Sequence, residues 1–293
     1  MSKISEFFGL NCNDNSQDIK KVLDSQICPY TKKICTKMRK SNPNIKIGTC
    51  SVKYQNQDLI ICPSRFLENN RVFNDCISLL AKHSPNNELY LITEVQIPGG
   101  YVDYFLVSTN NKKVVDFVGI EIQAIDTIRS VWPERQRFLK EKGLRIDDAP
   151  NINKKTFGMN WKMTLKTTLI QMHHKAKFFE SMNKHLVLII QKPLFEHMQH
   201  DFDSSEIKES KHEDTFHIHV YELKESNLKF NLSFDTNVST DSKGIEKCLG
   251  LNTNKEINMD DLFKILEPKV TETNRIICPR RDSNSYVLAD KGF

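Results

Sequence analysis

Glu88-Leu89-Tyr90-Leu91-Ile92-Thr93-Glu94-Val95-Gln96-Ile97, then Pro98-Gly99-Gly100, then Tyr101-Val102-Asp103-Tyr104-Phe105-Leu106-Val107-Ser108: this stretch decides the fold. Two runs rich in β-branched and aromatic residues around a glycine turn predict a hairpin. Asn110-Asn111-Lys112-Lys113 supplies a second turn, and residues 114–124 a third strand carrying Glu121-Ile122-Gln123. Downstream, residues 129–142 read as a polar helix and Pro150-Asn151-Ile152-Asn153 as a loop. Residues 161–183 have the length and period of a helix, with Leu165, Leu169 and Met172 on one side and Lys166, Lys175 and Lys177 flanking. Residues 185–191 form an apolar strand buried on both faces. Residues 216–223 alternate like an edge-side strand, and 204–213 form a charged loop. Upstream, a helix over 71–83 is ended by Ser84-Pro85-Asn86-Asn87. The last 60 residues hold a short helix near 260–266 and a basic tail. The expected class is α/β, a mixed central sheet flanked by helices.

The chain has 293 residues, 39% hydrophobic and 27% charged, which excludes global disorder. Its longest aliphatic run, Leu186 to Ile190, is far below the roughly 20 residues of a membrane span. The opening Met-Ser-Lys-Ile-Ser-Glu-Phe-Phe places an acid where a secretory signal carries its apolar stretch. A cytoplasmic protein is expected. Lys and Arg number 42 against 37 Asp and Glu, unevenly spread. Residues 1–70 hold 11 against 6 and residues 129–184 hold 13 against 5, so two basic segments lie in an otherwise acidic chain. Each is explained by a polyanion partner or by a solvated face.

Eight cysteines without an export signal do not suggest a disulfide framework. Cys28, Cys35, Cys50 and Cys62 fall within 35 residues, each beside turn-forming or basic residues. A loop-rich segment of low apolar content needs a brace other than a core, and four thiolates around one zinc or iron would serve. The spacing lacks paired C-x2-C knuckles, so two readings stand: a metal site, or four buried thiols. Cys12 is a substitute ligand, Cys76 reads as core, and Cys248 as structural or surface. A boundary near residue 70 separates a 1–70 cysteine-rich domain from a 71–293 domain.

Three polar positions interrupt the apolar runs. Glu121 and Gln123, two apart on a strand, share a face, and the neighbouring strand can set Asp103 beside them. Two buried carboxylates repel unless a cation lies between them, and magnesium is held by one or two carboxylates plus a substrate phosphate. That pattern suggests phosphodiester hydrolysis; the alternative is a pair of exposed acids on a half-solvated sheet. Hairpin, Asp, Glu-x-Gln on a strand, then helices, is the arrangement of the PD-(D/E)xK nuclease fold, with Gln123 where lysine usually stands.

In its motifs the chain resembles the NotI family of type II restriction endonucleases. The resemblance is carried by Glu6-Phe7-Phe8-Gly9, Cys28-Pro29-Tyr30, Cys35, Gly48-x-Cys50, Ile61-Cys62-Pro63-x-Arg65, Gly119-Ile120-Glu121-Ile122-Gln123-x-Ile125-Asp126 and Leu165-Lys166-x-Thr168-Leu169-x-Gln171-Met172. It runs in order from residue 6 to about 225 and fades beyond. It implies a restriction-endonuclease-like core plus a small N-terminal four-cysteine domain, with iron (zinc being the other option) on Cys28, Cys35, Cys50 and Cys62. It further implies a homodimer that cuts double-stranded DNA at a palindromic site with Mg2+ on Asp103 and Glu121, inside a bacterial restriction-modification system with a cognate methyltransferase. Gln123 would position the attacking water. A further acid falls on Glu88, with Glu94 as the competitor and Glu88 preferred. Lys32, Lys33, Lys37, Arg39 and Lys40 would meet phosphates, and Lys166 or Gln171 would reach the site. Two rival functions are a metal-stabilised DNA-binding regulator without catalysis and a structure-specific repair nuclease.

Overall fold

The long strands follow from their β-branched and aromatic content, and their pairing follows from two tight turns. The computed structural model describes residues 2–39, 41–144, 157–251, 264 and 268. In the first 60 residues come β1 (Ile4–Phe7), β2 (Leu10–Asn11), helix α1 (Ile19–Ser25), β3 (Met38–Arg39), β4 (Asn42–Lys46), β5 (Thr49–Tyr54) and β6 (Gln57–Ile60). A 3-10 segment (Pro63–Asn70), helix α2 (Arg71–Asn74) and a 3-10 turn (Ile77–Leu79) lead to the hairpin β7 (Glu88–Ile97) and β8 (Gly100–Asn110) and the third strand β9 (Lys113–Ile122). Then follow β10 (Thr127–Ile128), α3 (Trp132–Glu141), β11 (Gly158–Met159), the long helix α4 (Trp161–Ser181) and β12 (His185–Gln191). The described part ends with α5 (Lys192–Asp201), β13 (Lys208–Glu209), β14 (Phe216–Ser226), β15 (Lys229–Thr240) and α6 (Ser242–Cys248). Residues 1–252 form one compact unit, within which the expected boundary at residue 70 falls, and 253–293 form a second. Apart from Lys264, the helix expected near 260–266 lies outside the described residues, as do Lys40, the 150–153 loop, Cys278 and most of the tail. No described helix is long and apolar enough to cross a membrane.

The central sheet has seven strands in the order β13-β15-β14-β12-β9-β8-β7. It is mixed, because β12 runs parallel to both β9 and β14 while the other pairs are antiparallel. β12 is apolar on both faces for this reason: Leu186, Leu188 and Ile190 join the core under α4 and α5, while Val187 and Ile189 join a second core with Phe66, Val72 and Phe73. The strand expected at the edge, β14, is interior, since β15 covers its outer side. The two strands meet at Asn227-Leu228, both at positive φ, a hairpin turn without the glycine that would have announced it. The helix expected over 71–83 is only α2 and a separate 3-10 turn. Val72, Asn74, Asp75, Cys76 and Ser78 are poor helix formers, three of them able to compete for backbone hydrogen bonds.

The helix α4 lies along β9 so closely that no side chain fits at Gly119: an added Cβ would fall within the Phe179 ring. Two residues on along the strand, Glu121 meets Lys175, and two further, Gln123 meets Thr168. Two strand residues advance about 6.6 Å and four helix residues about 6 Å, so Gly119–Phe179 and Glu121–Lys175 repeat in step.

A four-stranded sheet, β2-β1-β5-β6, organises the N-terminal stretch. It is knotted by a buried ion pair: Arg65 Nε donates to both oxygens of Glu6 at 2.9 Å, with side-chain exposures of 0% and 1%. Ser51 and Tyr30 hydroxyls also donate to Glu6, and the remaining Arg65 nitrogens reach Glu68 and the Phe230 carbonyl in β15. Burial pushes the Glu6 carboxyl up, and Arg65 and its hydrogen bonds oppose this. Removing one partner of such a pair leaves an uncompensated buried charge. Arg65→Met is therefore expected to cost about 3–5 kcal/mol in denaturant unfolding, and adding Glu6→Gln to recover part of it; equal stability of Arg65→Met and the parent would refute this role.

Candidate functional site

The open end of β9 gathers the acids. Glu121 faces α4, since its neighbours Ile120 and Ile122 belong to the opposite core. It is 7% exposed, and its Oε1 accepts a 2.5 Å hydrogen bond from Lys175 Nζ, itself 5% exposed. On β8, half-buried Asp103 accepts the Ile122 backbone N–H at 3.0 Å, and its own backbone N–H donates to Glu121. Burial pushes Glu121 up to about 7, with the Asp103 charge adding to it and Lys175 opposing both. Burial also raises Asp103, whereas Ile122 N–H and Lys175 lower it. The two acids thus share one low-dielectric corner with one ammonium.

Of the two further acids considered, Glu94 stands beside them. The turn Pro98-Gly99 pairs Ile97 with Gly100, and counting outward sets Glu94 across from Asp103, between the pairs Thr93–Tyr104 and Val95–Val102. The Glu94 charge is felt at Asp103, and its φ of +54 is a left-handed conformation inside a strand. Glu88, the preferred candidate, pairs with Thr109 at the far end of the hairpin, six residues or roughly 20 Å along the strand. The structure does not bring it to Asp103. Alternation alone gave both acids the same face; the turn register separates them.

Gln123 accepts from the Thr168 hydroxyl at 3.0 Å and donates to the Ala124 carbonyl at 2.6 Å. Gln171 is exposed and lies three residues after Thr168 and four before Lys175, on the helix face that borders the site. Lys166 is nine residues before Lys175, half a turn away around α4, and exposed. The residue missed is Lys175. Its sign in the sequence is weak, a lysine flanking the Leu165–Leu169–Met172 stripe, as Lys166 and Lys177 also do.

Cys28, Cys35, Cys50 and Cys62 line one cavity of about 10 Å³, together with Phe8, Thr31, Thr49 and Ser64. That is space for a single ion or water. All seven described cysteines are free and buried, and Cys12 is not among the cavity's lining. Cys50 is raised by burial and by the charge of Cys62, and Cys62 by burial and by Cys35 and Cys28, while Lys37 lowers it. The Thr49 hydroxyl, in the same wall, is buried without a hydrogen-bond partner. Among the described residues, no group of three or more His, Cys, Asp or Glu is drawn close enough to hold a metal ion. The donor set and the orphaned hydroxyl fit a small occupant; the thiols stand around the cavity without closing on its centre. Lys32 and Lys33 are exposed on the loop between Cys28 and Cys35. Lys37 turns inward to the Ile61 carbonyl, and Arg39 lies over the Trp132 ring.

A family model described as restriction endonuclease NotI matches residues 16–227, a span holding the four cysteines, Glu94, Asp103, Glu121, Gln123 and Lys175. The class so defined is that of the restriction endonucleases, hydrolases that cut DNA site-specifically. The chain belongs to the NotI restriction endonuclease family. No curated protein matches it.

The raised Glu121 sets a pH dependence. Folding favours its protonated form, so this contribution to stability is complete below the ordinary glutamate range and is lost as pH rises through about 7. Denaturant unfolding of metal-free protein from pH 5 to 8 is expected to show a downward component that Glu121→Gln removes; parallel profiles for the two proteins would contradict it.

Proposed function

We propose that the chain is a type II restriction endonuclease that uses Mg2+ to hydrolyse phosphodiester bonds in double-stranded DNA at a palindromic site. It acts as a homodimer, beside a cognate methyltransferase in a cytoplasmic restriction-modification system. The observation that carries the reading is the pair of buried Glu121 and half-buried Asp103 on adjacent strands, in a chain of this family. This reading assigns the sheet to a PD-(D/E)xK core, and the order of hairpin, third strand and following helix supports it.

Asp103 and Glu121 would hold the magnesium ion, which when bound acidifies a water and offsets charge on the scissile phosphate. Both acids are raised by burial, Glu121 also by the Asp103 charge and Asp103 also by that of Glu94, the state expected of groups built to share a cation. Glu94, exposed and across from Asp103, would take the proton released by the water. Gln123 cannot titrate; its amide keeps one N–H beyond the bond to Ala124, enough to orient a water. Palindromic DNA fits a two-fold dimer, each copy cutting one strand.

The four cysteines would hold an iron ion, or zinc, as a structural brace, since four thiolates leave no open coordination position. The common cavity and the orphaned Thr49 hydroxyl support this. Lys32 and Lys33 beside it would meet phosphates, and Gln171 would border the bound strand. Metal analysis is expected to find one iron or zinc per chain, lost together with thermal stability in Cys50→Ser; a metal-free wild type of full stability would oppose the assignment.

Digestion of plasmid and phage DNA with Mg2+ is expected to give discrete bands whose ends, once sequenced, define the site. Asp103→Asn and Glu121→Gln should each lower cleavage by about 10³-fold while keeping duplex binding. A smear would favour a structure-specific nuclease, and binding without cleavage by the wild type a regulator; either result defeats the proposal.

A further inference from the structure

We propose that Lys175 is a catalytic residue of this cleavage reaction: helix α4 delivers, across the face of the sheet, the ammonium that the catalytic strand lacks at Gln123. The inference rests on the nuclease reading above and adds a residue to it.

Helix α4 and the turn after it carry other lysines, and these go elsewhere. Lys177 reaches Glu246 with more than half its side chain in water, and Lys184 meets Asp116 at the other end of β9. Lys162 and Lys166 are exposed. Lys175 alone among these lysines is turned into the sheet, at 5% exposure, on a helix whose other buried residues are Leu165, Leu169, Met172, Ala176 and Phe179 together with Thr164, Thr168 and His173. A buried ammonium beside a buried carboxylate is a poor way to gain stability, because well-packed apolar residues of the same volume do as well or better. Stability therefore does not account for a lysine in this position.

Its surroundings are built to seat it. The turn Pro98-Gly99-Gly100 rests on α4 at His174 and Lys175: a Cβ at Gly99 would come 3.3 Å from the His174 backbone, and one at Gly100 would lie 3.7 Å from Lys175 Cε. Gly100 has φ +126, open only to glycine, so the turn that sets the register of Glu94 and Asp103 also closes over the lysine stem. From there Nζ touches Glu121 at 2.5 Å, and its charge acts on Asp103. Gln123, by contrast, is held by Thr168 and Ala124 and is neutral.

An ammonium has three donors, and Glu121 uses one. The other two can hold the attacking water and a non-bridging phosphate oxygen. In the step, the water oxygen bonds to phosphorus and the bond from phosphorus to one ester oxygen breaks. That oxygen leaves with the electron pair and takes a proton from solvent, while the proton released by the water passes through a carboxylate to solvent. Lys175 exchanges no proton in this step and stabilises the charge that builds on the phosphoryl oxygens.

The test uses full-length protein with Lys175→Met, Lys175→Gln and the double variant Lys175→Met with Gln123→Lys. Single-turnover cleavage by either single variant should fall about 10²–10³-fold, with metal-free duplex affinity within about threefold. Titration of DNA-free protein with Mn2+ should show affinity unchanged or higher, since no ammonium competes for Glu121. Relocating the lysine in the double variant should restore cleavage at least about tenfold. Lys175→Gln keeps a hydrogen bond to Glu121 and answers the case in which the methionine variant does not fold. Cleavage within about fivefold of wild type by a folded neutral variant overturns the assignment. So does loss of Mn2+ binding in parallel with cleavage, which would make Lys175 a mere support of the acids. If wild type itself cuts no duplex, or Asp103→Asn cuts normally, the nuclease reading fails rather than the lysine.

Discussion

The contact of β9 with α4 is the constraint on which the rest depends. Two strand residues match four helix residues where the Phe179 ring sits in the hollow of Gly119 and Lys175 on Glu121, and Thr168, seven residues further back along the helix, then meets Gln123. The first contact is steric and permits no side chain on the strand; the second is ionic and buried; the third is a neutral hydrogen bond. Because all three lie along one line, the packing that stabilises the helix also sets where the carboxylate stands. Moving α4 by one residue would bring Ala176 or His174 to Glu121 and leave a buried charge without a partner.

The structure as a whole resolves two competing demands on that corner. The core needs β9 covered on both sides, and Ile120 and Ile122 satisfy it on one face. Chemistry needs two acids close together, which burial and mutual repulsion oppose. The compromise is a local one: Asp103 sits near the start of β8 and Glu121 near the end of β9, beside a tight glycine turn, with a single cation from the helix. Glu94, in a left-handed conformation across from Asp103, marks where the ladder gives way to the site.

Much of this could be read from residues. The hairpin, the third strand, the long helix and the doubly buried strand 185–191 were legible because β-branched and aromatic runs were bounded by strong turns. Asp103 with Glu121 was legible because polar residues interrupted apolar strands without local need. Other features were hidden for physical reasons. β15 alternates Phe230, Leu232 and Phe234 with polar residues, but its Asn227-Leu228 turn has no glycine, so the interior position of β14 went unseen. Glu88 was preferred to Glu94 because the ungapped resemblance put the further acid there; the turn register alone shows which of the two stands level with Asp103. Lys175 was hidden because a helical period tells which side of α4 is apolar, and a lysine on the margin of that stripe looks like any solvated one. The four cysteines were legible as a group from their turns, and their shared cavity follows from Cys28–Cys35 and Gly48–Cys50 lying on loops that converge beside Phe8.

The N-terminal sheet reaches further than its own cysteines. Ile60 donates its N–H to the Gln191 side chain and accepts the N–H of Ile125, and Gln191 returns a donor to the Asp58 carbonyl. The peptide two residues past Gln123 is thus clamped by β6, and the end of β12 by the same strand. An engineer wishing to transplant this central sheet onto a different cysteine-rich module would sever that clamp, stranding an amide and a glutamine in the interior. The two halves are one machine part, and any chimera must carry the sixth strand with it.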